Sequence, residues 1–126
     1  MKKNKISKNW INKQRRDIYV RKSKVEGYRS RAIYKLKEIN DKFKIIRNGI
    51  KVVDLGSAPG SWSQYLSEKS KNSKILSIDL KDIEKIHNVT HLIGDFLDEK
   101  NQKLISNFFK DKLDLIVSDM AVNTTG

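Results

Sequence analysis

The 126 residues suffice for one domain, and the absence of cysteine excludes disulfides, thiolate metal sites and a cysteine nucleophile within the chain. No apolar run nears the roughly 20 residues that a membrane-spanning helix needs, and the basic N-terminus lacks the apolar core of a secretory signal, so a soluble, cytoplasmic protein is expected. Net charge is +12 and uneven: residues 1–51 hold 18 Lys+Arg against 4 Asp+Glu, whereas residues 52–126 hold 9 against 11. A basic front on a near-neutral body suits a polyanion partner, most often nucleic acid. A merely solvating lysine-rich surface is the plainer reading of the same numbers.

Residues 1–26 carry many charges and only irregularly spaced apolar residues, Trp10, Ile11, Ile18, Tyr19 and Val20. They read as a mobile basic arm with at most one helical turn. Interleaved aromatics and cations can stack on bases and neutralise phosphates; a floppy terminus fits equally well. Residues 27–43 read as a helix, because Tyr28, Ala32, Ile33, Leu36, Ile39 and Phe43 share one face at about 100° per residue. Lys35 falls at the edge of that stripe, where its stem can lie on the core and its ammonium at a rim. Thereafter strand and helix alternate: strands at 50–55, 74–80, 90–95 and 113–119, helices at 61–69 and 98–111. That pattern predicts βαβ units and a parallel sheet covered on both faces. The fold class expected is α/β and Rossmann-like, a mostly parallel sheet with flanking helices and a basic N-terminal helix, its first four strands present. Residues 27–126 would be the N-terminal part of a single domain.

In open parallel sheets, ligands sit at the carboxyl ends of the strands. Asp54, Gly56 and Gly60 close the first strand, Asp79 the second, Asp95 the third and Asp119 the fourth. The glycines allow a tight turn and close ligand approach, Pro59 presets the shape of the loop, and the following helix offers free N–H groups to an anion. An acid about 20 residues after the glycine turn suits ribose hydroxyls. The loop Gly56-Ser57-Ala58-Pro59-Gly60 is not the dinucleotide fingerprint and lacks the lysine of a phosphate-binding loop. Asp54 beside it suits a cationic group. S-adenosylmethionine, with adenosine, ammonium, carboxylate and sulfonium, fits best. Helix capping by the aspartates is the competing explanation for any one of them. His87 and His91 lie four apart without further ligands, so they read as ordinary loop or surface residues and no metal site is expected.

The segments SRAIYKLKEI (30–39), VVDLGSAPGSWSQYL (52–66), IDL (78–80), GDF (94–96) and SDMAVNTTG (118–126), in this order and spacing, resemble the FtsJ/RrmJ family of S-adenosylmethionine-dependent RNA ribose 2′-O-methyltransferases. The resemblance implies a methyltransferase that modifies a uridine ribose of large-subunit ribosomal RNA, a partner in the large ribosomal subunit, and a monomer at full length. It implies that Gly60 and Trp62 belong to the cofactor loop, joining Asp54 and Gly56, and that Asp79 and Asp95 contact the adenosine. Asp119 would lie beside the transferred methyl group. Lys35 and Asp119 would belong to a Lys-Asp-Lys-Glu catalytic set, in which a ribose 2′-hydroxyl attacks the methyl group in line. Arg29, Arg31 and Lys35 are the candidate RNA contacts. Val122 stands where the family usually has proline, and the match ends at Gly126, before the family's second lysine and glutamate. A non-catalytic RNA-binding fragment or pseudoenzyme is the main alternative, and a nucleotide-dependent oxidoreductase half-domain a third. An open edge on the apolar fourth strand predicts that these residues in isolation are unstable or associate, and lack full activity.

Overall fold

Four short stretches rich in Ile, Leu and Val form the strands β1 (Lys51–Leu55), β2 (Lys74–Asp79), β3 (Val89–Ile93) and β4 (Leu115–Ser118). The helices are α1 (Lys2–Glu26), α2 (Ile33–Phe43), α3 (Ser61–Lys69) and α4 (Glu99–Phe109). The computed structural model describes residues 2–110 and 112–120; residues 121–126, Val122 among them, lie outside the description. The strands run parallel in the order β3-β2-β1-β4. Val53 stands beside Leu76 on one side and Ile116 on the other.

Alternation along each strand sends side chains to two separate cores. Val52, Ile75 and Val117 join Ile33, Leu36, Trp62, Tyr65 and Leu66 beneath α2 and α3. Val53, Leu55, Leu76 and Ile78 join Ile105 and Phe109 beneath α4. Helix α4 is capped by Asp98, whose side chain accepts from the Lys100 N–H. No helix among the described residues is long and apolar enough to cross a membrane.

Several expectations change. The basic N-terminal segment is not an arm with one turn but a 25-residue helix. It contains neither glycine nor proline before Gly27, and its Lys, Arg and Gln content favours a helix. Its C-terminal turns dock on the body: Ser23 is buried, the Tyr19 and Tyr34 rings lie 5.3 Å apart, and Lys22 sits 4.9 Å from the Tyr34 ring centre. The helix expected at 27–43 starts only at Ile33. Residues 27–32 form a strap whose polar groups bond to α3 instead of to a helix of their own. The Arg29 N–H donates to Gln64 Oε1 (3.2 Å), Gln64 Nε2 to the Gly27 carbonyl (2.8 Å) and Trp62 Nε1 to the Ala32 carbonyl (2.7 Å). The β2–β3 crossover is also not helical among residues 80–88. Long-range bonds hold it, including Ser67 Oγ to the His87 carbonyl (2.6 Å). His91 lies within β3, its Nδ1 2.7 Å from Ser77 Oγ and its Nε2 3.0 Å from the Lys81 carbonyl. That network fits Ser77 donating to Nδ1 and Nε2 donating to Lys81.

Candidate active site

With β1 central, β2 on one side and β4 on the other, the chain reverses direction across the sheet at the β1/β4 boundary. The crevice at the carboxyl ends of these strands is the expected ligand position. The turn from β1 into α3 shapes it. Gly56 (φ +68°) and Gly60 (φ +112°) adopt the left-handed backbone that glycine accepts freely. A side chain on Gly56 would run into Met120, and one on Gly60 would meet Ile86 at 3.0 Å and the Arg29 guanidinium at 3.2 Å.

Every segment of this turn has a fixed partner. The N–H groups of Gly56 and Ser57 donate to the Ile78 carbonyl at 2.9 and 3.1 Å. The Ala58 N–H donates to Asp79 Oδ2 at 2.9 Å. Arg29 Nη1 donates to the carbonyls of Pro59 (3.1 Å) and Glu84 (2.7 Å), and Nη2 to that of Lys85 (3.1 Å). One guanidinium therefore ties the turn to the β2–β3 crossover. Expected to face RNA, Arg29 has its charge directed at three carbonyls. Arg31 points the other way, lining two clefts on the α1 side.

Three clefts meet at the rim, and Asp119 borders all of them. The first, of about 600 Å³, is lined by Asp79 and Asp95 together with Gly56, Ile78, Leu80, Phe96, Leu97 and Met120. Leu80, Leu97 and Met120 are exposed. The second, of about 870 Å³, opens on the α2 side between Ser30, Arg31, Tyr34, Lys35 and Asp119. The third, of about 50 Å³, lies under the glycine turn beside Asp54, Ser57, Pro59 and Trp62.

The aspartates differ in what holds them. Asp79 Oδ1 accepts from the Lys81 N–H at 2.9 Å while Oδ2 takes Ala58, so the carboxylate is oriented and retains lone pairs towards the cleft. Asp95 Oδ1 accepts from the Leu97 N–H at 2.9 Å, and Asn101 Nδ2 donates to the Asp95 carbonyl at 2.8 Å. Asp119, just past β4, accepts from Lys35 Nζ at 3.3 Å, joining residues 84 apart in sequence. Both partners are substantially exposed. An exposed pair of this kind adds only ~0–1 kcal/mol to stability, so its significance lies in position.

Asp54 is buried inside β1, and Ser63 Oγ donates to its Oδ2 at 2.8 Å. Burial pushes its carboxyl up to about 7; the Ser63 side-chain and backbone bonds oppose this, and the nearby carboxylates of Asp119 and Asp79 add to it. The carboxyl supports the first turn of α3 and touches only the smallest cleft. Trp62 is buried too, with its indole nitrogen committed to Ala32. Its ring braces the strap against α3 and does not wall the larger clefts. Sequence reasoning missed Ser63, the partner of Asp54, and the Tyr19–Tyr34 pair, because each contact spans elements that periodicity treats separately.

The donor set fits an adenosine-bearing methyl donor. The first cleft combines uncovered apolar walls with two oriented carboxylates, and its size lies in the usual range for small-molecule sites.

Residues 28–126 match the model of the FtsJ-like methyltransferase family. The chain is 62% identical to ribosomal RNA large subunit methyltransferase E of Pelagibacter ubique, over all of this chain and 62% of that protein. It is 49% identical to the protein of the same name from Rickettsia akari, over 95% of this chain and 56% of that one. A crystal structure from Plasmodium falciparum, described as a ribosomal RNA methyltransferase, superposes with a TM-score of 0.69 at 37% identity, covering 79% of this chain and 59% of that one. The chain thus spans about three-fifths of the length of these relatives.

Proposed function

Because the chain belongs to the FtsJ-like methyltransferase family, we propose that it forms the cofactor-binding and acceptor-positioning part of an enzyme that methylates the 2′-hydroxyl of a uridine in large-subunit ribosomal RNA, in the cytoplasm, with S-adenosylmethionine as donor. The observation that carries this reading is the position of Asp119, bordering both large clefts while bonded to Lys35. One cleft suits a nucleoside with a cationic tail, and the other, where Lys22, Arg31, Lys35 and Lys37 stand among Glu38, Asp41 and Asp119, suits an RNA strand led in past its cations.

Bound in the first cleft, S-adenosylmethionine supplies an activated methyl group. Asp79 and Asp95 would hold its adenosine, with the first turn of α3 and its positive dipole end near the anionic part. The turn is already fixed by Arg29, Ile78 and Asp79, so the site is ordered before a ligand enters. Such preorganisation reduces the cost of positioning. On the other side, Lys35 would place an ammonium donor against an acceptor oxygen, and Asp119 would hold that ammonium aligned.

The test uses the whole gene product, labelled methyl donor and large subunits lacking the modification. Label in 2′-O-methyluridine after nuclease digestion is expected. Asp119→Asn should slow transfer by at least about 100-fold, the order expected when reacting groups lose alignment, without weakening RNA binding comparably. Label on a base, or undiminished transfer in the variant, would overturn the reading.

A further inference from the structure

The basic residues of the N-terminal region are not equivalent once folded. Lys22 and Lys37 share Glu26, at 3.8 and 3.9 Å. Arg29 is committed to three carbonyls, and Lys35 to Asp119. Arg15, Arg16 and Arg31 form no ion pair among the described residues. These three line one groove of about 460 Å³ together with Asn9, Asn12 and Tyr19. No acid among the described residues lines it. Tyr19 and Arg31 also border the 870 Å³ cleft, whose lining holds Lys35 and Asp119 together with Glu38 and Asp41, so the two spaces adjoin. Tyr19 keeps 43% of its surface exposed while Tyr34 backs its ring at 5.3 Å.

We propose that this groove along α1 binds the RNA segment flanking the target nucleotide and leads it to Asp119. The inference rests on the reading that the chain acts on RNA, and it adds a site and an approach direction. Unpaired guanidinium groups at Arg15, Arg16 and Arg31 contact phosphates, for which their planar fork is suited. The Tyr19 ring stacks on a base, and the amides of Asn9 and Asn12 reach base or sugar edges. From Asn9 to Lys22 the helix advances about 20 Å at ~1.5 Å per residue, enough for several phosphates in a row. A groove whose charged lining is three arginines, with amide and aromatic surface between them, is complementary to a flexible polyanion.

The experiment compares RNA binding by the whole gene product and two variants across a salt series, with S-adenosylmethionine binding and thermal melting measured alongside. Substituting Arg15→Gln and Arg16→Gln together should weaken RNA binding roughly 10-fold and flatten the salt dependence by about 1.4 in log–log slope, at ~0.7 for each single-strand phosphate no longer neutralised. Tyr19→Ala should weaken it about 5-fold or more with the slope unchanged. Donor affinity should stay as in the parent in both variants, and melting should stay so in the arginine variant; Tyr19→Ala also removes the ring contact with Tyr34 and should melt somewhat lower. Unchanged RNA affinity and slope in both variants overturn the proposal. So does a loss confined to binding of an acidic polypeptide, which would make the groove a protein-docking surface. If the parent binds RNA with the expected slope but transfers no methyl group, the enzymatic reading fails and the groove stands. If it methylates normally and the variants match it in RNA affinity, only the groove falls.

Discussion

The β1–α3 turn and helix α1 lie near the same Lys35–Asp119 pair, yet they are held in opposite ways. In the turn, backbone groups of Gly56, Ser57, Ala58 and Pro59 all have named partners, and its glycines leave no room for side chains. Helix α1 touches the body through Tyr19, Lys22, Ser23 and Glu26, while Trp10, Ile11 and Ile18 are exposed and its three arginines lack ion-pair partners among the described residues. A small rigid ligand favours a preformed turn, since ordering is complete before binding. A polyanion favours charges that remain unpaired until it arrives, because released counterions drive the association.

The largest expected contrast comes from truncating one side chain in each region. Leu66→Ala, fully buried between α3 and the sheet, should cost about 2–5 kcal/mol. Trp10→Ala on α1 should cost under about 0.5 kcal/mol. Urea unfolding of both variants measures the difference, and equal losses would mean that α1 is as tightly packed as the body. Next in size is Arg29→Met, which removes the donors to three carbonyls and should cost about 2 kcal/mol. It should weaken donor binding more than RNA binding, and Arg29→Lys should restore only part because a point charge cannot reproduce the fork. A variant that loses RNA affinity alone would return Arg29 to the RNA face.

Over the single pH unit measured, the smallest effect is one of pH. Asp54 has a folded value of about 7 against 3.8 ordinarily, so the folded chain keeps a proton that the unfolded chain releases between them. Its contribution is therefore complete below about pH 4 and is lost as pH rises through 7, by at most about 1.4 kcal/mol per pH unit. Asp54→Asn cannot titrate, so the parent should lose stability relative to it between about pH 5.5 and 6.5. Parallel melting curves would falsify this assignment.

Helix α3 could be read to its last residue, Ser61–Lys69, because a glycine-proline turn opens it and its inward face is regular. The strands fell within two residues of their observed ends for the same local reasons. Helix α1 was hidden because a helix charged on nearly every side has no apolar period to detect. The strap at 27–32 was hidden because its partners, Gln64, Ser61 and Trp62, lie some 30 residues away.

From composition and order alone came the α/β class, the parallel sheet and a rim carrying Asp79, Asp95 and Asp119. These follow from interactions between near neighbours, apolar alternation and turn chemistry. Tertiary structure decided which charges are free. It turned Arg29 inward to the turn, buried Asp54 against Ser63, paired Lys35 with Asp119 and left Arg15, Arg16 and Arg31 open. The reason is range: a charged side chain takes whichever partner folding brings within about 4 Å, and sequence separation carries no information about that distance.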